Sequence, residues 1–352
     1  MQTINPENIS RLHSTLSSAE RICIVTHTRP DGDAMGSSIG MYHFAKRKYN
    51  KDIKLALADP APANLDFLTE GVSEQDILIY KSAPETAEMA ITTSDLVICL
   101  DFNAFHRTDS LERSLSESKA TKVLIDHHLA PDTEKFSLIF SETEISSASE
   151  LLYYVLMSLP GVDGDASNLP LETATALMTG MTTDTNNFMN SVYPTTFQMA
   201  SSLLNVGVDR DMIIQKIYNR FKESRIRLQG HVLQDLMTIT PDGVAYIVLD
   251  KNDIRQYHVE EGDTEGFVNI PLSIDGVFMS VFVKEDDDRL RVSIRSKKGT
   301  SANRCARLHF NGGGHENAAG GRLFIPQDLE SISQAAEYIE RHTHIFMTEE
   351  NE

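Results

Sequence analysis

Only three cysteines, Cys23, Cys99 and Cys305, occur in the 352 residues. They are too few for a disulfide framework and do not form a thiolate set that would select zinc. Cys23 and Cys99 fall in apolar segments and read as small core residues. Basic residues are short as well: 32 Lys and Arg stand against 51 Asp and Glu, a formal charge of −19. That balance argues against an extended surface tracking the phosphates of long nucleic acid. No apolar run approaches the length of a membrane span, and the opening MQTINPENISRLH lacks the basic-then-apolar order of a signal peptide. The expectation is a cytoplasmic protein without a membrane partner. Repeats and low-complexity tracts are missing, and 41% hydrophobic with 24% charged content is that of a folded globular chain. The acidic close MTEENE is expected to fray.

What the sequence does have is aspartate and histidine in clusters. His27, Asp31 and Asp33 follow the apolar, partly β-branched run Ile22 to Thr26 and precede Ala34 to Lys48, which has helical spacing. They therefore belong to a strand-to-helix connection, and in a parallel α/β sheet such connections gather at the carboxyl ends of the strands. Two more strands end in the same way. Asp95 to Leu100 runs into Asp101, and Lys122 to Ile125 runs into Asp126, His127 and His128. A fourth cluster, TTDT, adds Asp184 after the helix-prone stretch Leu171 to Met181. One aspartate after a strand is commonly a turn former or helix N-cap; four such clusters point to a common centre.

Carboxylates brought that close repel one another and raise each other's pKa, which divalent cations relieve. Mixed oxygen and nitrogen donors suit Mn²⁺, Zn²⁺ or Fe²⁺ better than an all-oxygen magnesium site. Six or seven donors are too many for one ion and enough for two, about 3.5–4 Å apart, sharing a carboxylate. Two-metal hydrolysis of a phosphoester is the reaction class this indicates, with manganese favoured and Mg²⁺ or Co²⁺ as alternatives.

The pattern H-x-x-x-D-x-D at His27 to Asp33, the strand-end Asp101, the triplet Asp126-His127-His128 and the later Asp184 resemble the four motifs of the DHH phosphoesterases. SIRSKKG at 293–299 and NGGGHENAAGG at 311–321 resemble the DHH-associated C-terminal domain. The two-domain layout is similar to the NrnA-type subfamily of oligoribonucleases and 3′-phosphoadenosine 5′-phosphate phosphatases. The resemblance implies that His27, Asp31 and Asp101 hold one metal, and that Asp33, Asp101, His127 and Asp184 hold the other, with Asp101 bridging. Asp126 would orient a neighbouring histidine, and His128 would meet the phosphate or the attacking water. Arg107 would touch phosphate. Arg295, Ser296, Gly312, Gly313, Gly314 and His315 would bind the nucleotide away from the scissile bond, the glycine N–H groups offering an anion site. By themselves Arg295 and its neighbours Lys297 and Lys298 read as a charged hairpin edge that resists aggregation, and Ser147 with Glu150 reads as a capping box.

The function implied is removal of 5′-mononucleotides from very short RNA, together with 3′-phosphoadenosine 5′-phosphate hydrolysis. A phosphodiesterase for cyclic or linear dinucleotides is the alternative, and a nucleotide-binding protein with little catalysis a third. A homodimer is implied by the family. The expected architecture is α/β: a mostly parallel-sheet catalytic domain over residues 1–200, a helical linker over 201–227 and a smaller α/β substrate-binding domain over 228–347, with the active site in the cleft between them. Thr195 to Ile226 is expected to be helical with a break at Gly207, and strands are expected at Ile53 to Ala58, Ile77 to Tyr80, Ala245 to Leu249, Val277 to Val283 and Arg289 to Ile294.

Overall fold

The computed structural model describes residues 4–350 apart from Arg220, Glu261, Asp287 and Asp288. Two residues of the expected acidic turn at 285–288 and the last two of MTEENE thus lie outside the described residues. The chain forms two compact units, Met1–Arg220 and Phe221–Glu352. Among the described residues no helix is long and apolar enough to cross a membrane.

The first unit runs α1 (Pro6–Ser18), β1 (Arg21–Thr26), α2 (Gly32–Tyr49), β2 (Asp52–Leu57), β3 (Ile77–Ile79), α3 (Pro84–Thr93), β4 (Leu96–Leu100), α4 (Glu112–Glu117), β5 (Thr121–Asp126), β6 (Leu138–Ser141), α5 (Ala148–Met157), α6 (Leu171–Asp184), α7 (Pro194–Val206) and α8 (Arg210–Tyr218). Its six strands lie in the order β3-β2-β1-β4-β5-β6, and every pairing is parallel. Alternate residues serve opposite faces, as strand geometry requires. Ile22 and Ile24 join Met35 and Ile39 of α2 in one core, while Cys23 and Val25 join Ala87, Ile91 and Leu115 in the other. Both faces are covered, so β1 and β4 can be apolar throughout. Burial pushes the Cys23 thiol up to about 12, as befits a core residue rather than a reactive one.

Register decides where the chemistry can be. Thr26 pairs with Leu100, and Leu100 with Ile125. The next residues, His27, Asp101 and Asp126, therefore stand in one row at the carboxyl edge. Strand order reverses between β1 and β4, the position where open α/β sheets leave a crevice for ligands.

Helices α2 and α6 bring the remaining acids to that edge by touching backbone to backbone. A Cβ on Gly36 would lie 2.6 Å from the Ala176 carbonyl oxygen and 2.7 Å from the Gly180 Cα. Asp31 caps α2, accepting from the Asp33 and Ala34 N–H groups at 3.0 and 3.1 Å.

The stretch expected as one broken helix is three helices. α7 stops because Gly207 takes φ 101°, and α8 restarts under the Asp209 cap. Leu203, Ile213 and Ile217 belong to the core of the first unit, so α7 and α8 pack there rather than forming a free connector. The second unit begins with α9 (Glu223–His231) and continues β7 (Thr238–Ile239), β8 (Val244–Leu249), α10 (Lys251–Gln256), β9 (Met279–Glu285), β10 (Arg289–Ser296), α11 (Ala302–His309), β11 (Gly313–His315), β12 (Ala318–Phe324) and α12 (Ala335–Glu350). Its sheet has the order β11-β12-β10-β9-β8-β7, with only β8 and β9 parallel. Val281, Val283 and Ile294 face a core with Phe310 and Phe346, and Phe282 faces another with Leu228 and Phe267.

The α2–α6 contact makes a stability prediction. Gly36→Ala forces two backbones apart and should cost about 1–3 kcal/mol, outweighing alanine's better helix propensity. At Gly40 the nearest obstacle is the Leu177 side chain, at 2.9 Å, which can turn aside. In urea denaturation Gly36→Ala should lose more stability than Gly40→Ala; the reverse order would sink the close-contact argument.

Candidate metal centre

Asp101 is the middle of the site. It follows β4 with φ 62°, a left-handed backbone uncommon for a non-glycine residue, and is 2% exposed. Its two carboxylate oxygens face different histidines. Oδ2 lies 3.5 Å from His27 Nε2, and Oδ1 lies 3.5 Å from His127 Nε2. On the first side His27 Nε2 is also 3.9 Å from Asp31 Oδ1. On the second, His127 Nε2 is 3.9 Å from Asp33 Oδ2 and 3.6 Å from Asp184 Oδ2. Two groups result, His27-Asp31-Asp101 and Asp33-His127-Asp184, each with donor atoms within 4.8 Å of one another. A third combination, Asp101-His127-His128, overlaps the second.

His128 is held differently. Its Nδ1 meets Asp126 Oδ1 at 2.7 Å and its backbone N–H donates to Asp126 Oδ2 at 3.1 Å. The fully buried Asp126 thus orients His128, not His127. His128 Nδ1 is 3.8 Å from Asp101 Oδ1.

The charges strain against one another. Burial, then the charges of Asp101 and Asp184, pushes the Asp33 carboxyl well above the usual carboxylate range. Burial likewise lifts Asp184 to about 7, against the pull of His127 and with the help of Asp101 and Asp31. Burial would also lift Asp101, but the imidazoles of His127 and His27 beside it hold it well below its ordinary value. Both imidazoles are depressed by burial and raised further by carboxylates, His27 to about 9 and His127 to about 10. Protons here take the place that divalent cations are suited to fill. The residues fit such ions: Asp101 Oδ1 is buried without a hydrogen-bond donor, and the donor set mixes imidazole nitrogen with carboxylate oxygen.

Asp33 also has a holder that its sequence neighbourhood does not reveal. Its Oδ2 accepts from the Ala148 N–H at 2.7 Å and its Oδ1 from the Ser149 N–H at 2.9 Å. The amino end of α5, with its partial positive charge, therefore grips this carboxylate. Ser147 caps α5, accepting from the Glu150 N–H at 2.9 Å. Buried Glu150 reaches back to Ser146 N at 3.2 Å and accepts from Thr196 Oγ1 of α7 at 2.7 Å. The Ser147–Glu150 signal shows where the helix starts; that its N–H groups serve Asp33 is a tertiary fact.

Arg107 lies beside the His27 connection, its carbonyl accepting the Thr28 N–H at 2.8 Å. In the second unit Arg295 and His315 are both paired with Ala318, from β10 and β11 on either side of β12. Directly opposite residues share a sheet face, so the two side chains rise from one face about 10 Å apart. One Arg295 nitrogen donates to the Ile294 carbonyl at 3.0 Å. Two expectations need correction. Ser296 is buried, and its hydroxyl donates to the Thr300 carbonyl at 2.6 Å while accepting from Asn317, which occupies it in a turn. The Gly312 N–H donates to the Ala306 carbonyl at 3.1 Å and the Gly314 N–H to Asn303 Oδ1 at 3.0 Å. Those two are not aimed at an anion. Gly312 instead permits β12 to approach, since a Cβ there would lie 2.5 Å from the Gly321 Cα.

Residues 21–181 match the DHH family, N-terminal domain, and residues 242–341 match the DHHA1 domain. The bifunctional oligoribonuclease and PAP phosphatase NrnA of Bacillus subtilis is 27% identical over 93% of this chain and 99% of its own length. Its namesake from Thermus thermophilus is 30% identical over 86% and 84%. A crystal structure of an exopolyphosphatase-related protein from Bacteroides fragilis superposes with a TM-score of 0.91 at 36% identity, covering the whole of both chains.

With one carboxylate oxygen in each half of the centre, Asp101→Ala should abolish hydrolysis and reduce the number of divalent ions bound, while circular dichroism shows the sheet intact. Calorimetric titration that still finds two bound ions in that variant would remove Asp101 from the bridging position.

Proposed function

Because this chain belongs to the DHH family and carries the DHHA1 domain beside it, we propose that it is a metal-dependent phosphoesterase that converts very short RNA oligonucleotides to 5′-mononucleotides and also hydrolyses 3′-phosphoadenosine 5′-phosphate. The observation that carries the reading is the pair of histidine–carboxylate groups meeting at Asp101. The likeness to NrnA proteins over nearly full length favours short RNA as substrate. In this reading His27, Asp31 and Asp101 hold one ion, and Asp33, Asp101, His127 and Asp184 the other. Manganese is the preferred metal on donor chemistry. Bound divalent cations lower the pKa of water and offset the negative charge growing on phosphoryl oxygens.

The remaining work belongs to the chain itself. The amino end of α5 keeps Asp33 in place and eases the burden of its charge. Asp126 holds His128 by Nδ1, which leaves Nε2 to bond a phosphate oxygen or water. Arg107 supplies positive charge beside the His27 connection. The row formed by Arg295, Ala318 and His315 is the second unit's grip for the nucleotide portion of the substrate. A cytoplasmic enzyme and a homodimer complete the proposal; cell fractionation and light scattering check them.

Hydrolysis of a ladder of 5′-labelled RNAs from dinucleotides upward, with Mn²⁺, tests the substrate. It is run beside cyclic di-AMP, 3′-phosphoadenosine 5′-phosphate and inorganic polyphosphate. Fastest conversion of the shortest RNAs to mononucleotides is expected. Preference for the cyclic dinucleotide or for polyphosphate would replace the RNA reading. Arg295→Ala and His315→Ala should raise KM for short RNA about tenfold or more, the loss of a charge-assisted bond, while sparing a small activated phosphodiester. Equal losses on both substrates would assign these residues to folding or chemistry instead.

A further inference from the structure

His27 Nδ1 lies 2.8 Å from the Thr28 carbonyl oxygen. A carbonyl can only accept, so Nδ1 keeps its hydrogen, and Nε2 is the nitrogen that gives up a proton to present a lone pair toward Asp31 and Asp101. What aims that carbonyl is the other end of the same peptide. The Arg29 N–H donates to Asp59 Oδ2 at 2.7 Å, and the Thr28 hydroxyl donates to the same oxygen. In a trans peptide the C=O and N–H point in opposite directions. Gripping the N–H from one side therefore turns the oxygen to the other, onto the imidazole. Rotation of this peptide would break both bonds at once.

The backbone has reason to rotate if released. Arg29 sits at φ 50°, a left-handed conformation in which the Cβ of a residue with a side chain crowds its own backbone. The Thr28 N–H is fixed separately, on the Arg107 carbonyl. Asp59 itself lies just past β2, is 6% exposed, and has its other oxygen 2.6 Å from Lys81 Nζ. It belongs to none of the acid groups around Asp101.

We propose that Asp59 is a positioning residue of the metal centre, which sets the ring orientation and tautomer of His27 by clamping the Thr28–Arg29 peptide. The inference rests on His27 being a metal ligand, as in the function proposed above. It adds a residue from a different strand connection, 32 positions further along the chain, to the machinery of the site.

Three variants separate clamping from charge and from mere support. Asp59→Ala removes both acceptors. Asp59→Asn keeps one oxygen for Thr28 and Arg29 and loses only the ion pair with Lys81. Lys81→Met loses the ion pair alone. Mn²⁺ affinity is measured by calorimetry without substrate, and the His27 tautomer by ¹⁵N NMR of the metal-free protein at a pH high enough to leave the ring neutral, with His27→Gln identifying the signal. Asp59→Ala should weaken Mn²⁺ binding about 10–100-fold and mix the His27 tautomers, while Asp59→Asn and Lys81→Met stay near wild type on both readouts. Unchanged affinity and tautomer in folded Asp59→Ala would overturn the proposal, and so would an Asp59→Asn loss as large as that of alanine. If Asp59→Ala does not fold, Thr28→Val, which removes one of the two donors to Asp59, should shift both readouts in the same direction, and no shift in either overturns the proposal. Neither readout needs turnover, so a wild-type protein that binds Mn²⁺ but cleaves no phosphoester would count against the proposed function and leave this inference standing.

Discussion

The structure is organised around the cost of holding several carboxylates together where little water reaches them. Asp33, Asp101 and Asp126 are each at most 2% exposed, and burying a carboxylate is costly unless its oxygens find partners. Each is answered by a different device. Asp101 has an imidazole against each oxygen, Asp33 has the first N–H groups of α5, and Asp126 has both the ring and the backbone of His128. The orphaned Asp101 Oδ1 shows that these devices do not satisfy the whole demand. A divalent cation is the natural remainder, which ties the site's chemistry to its electrostatic deficit.

Bringing those groups to one place depends on register more than on any one contact. Three adjacent parallel strands run in register, so His27, Asp101 and Asp126 stand side by side at the same edge. Asp33 and Asp184 come from helices, and only the glycine-mediated approach of α2 to α6 lets a helix start and a helix end share that edge. Packing and chemistry are therefore one constraint here: a methyl group on Gly36 would press on the same two helices that carry Asp33 and Asp184.

The parts of this arrangement visible in the sequence are those with a local signal. β1, β4 and β5 are apolar because both faces of their sheet are covered, and each runs straight into its acid or histidine. β6 was missed because LIFS is short, and β11 and β12 because GGGHENAAGG looks like a glycine loop, whereas in the fold it is a hairpin whose glycines admit a neighbouring strand. Thr195 to Ile226 kept its helical character but lost its continuity, since Gly207 ends α7 and Asp209 starts α8, and both helices pack on the core of the first unit. The groups that hold the acids and histidines of the centre in place were not legible at all. Ala148 and Ser149 stand 115 and 116 residues from Asp33, and their contribution is backbone N–H, which carries no residue-type signal. Asp59 looks like an ordinary turn aspartate before Pro60, and only the fold brings it to Arg29.

Backbone strain and site geometry coincide. Asp101 and Arg29, both non-glycine, take left-handed backbones on two of the connections that feed the centre. Such conformations persist where surrounding bonds over-determine them. For Arg29 those bonds run to Asp59, and for Asp101 the N–H is taken by the Ile125 carbonyl of the neighbouring strand at 3.2 Å. In each case the turn re-aims a group that a relaxed strand exit would send elsewhere: the Thr28 carbonyl toward His27, and the Asp101 carboxylate between two histidines. The strong net negative charge of the whole protein sharpens the consequence. A substrate phosphate is repelled by the net charge at large, so a site that binds one needs a few placed cationic groups, which suits a small nucleotide better than a long polyanion.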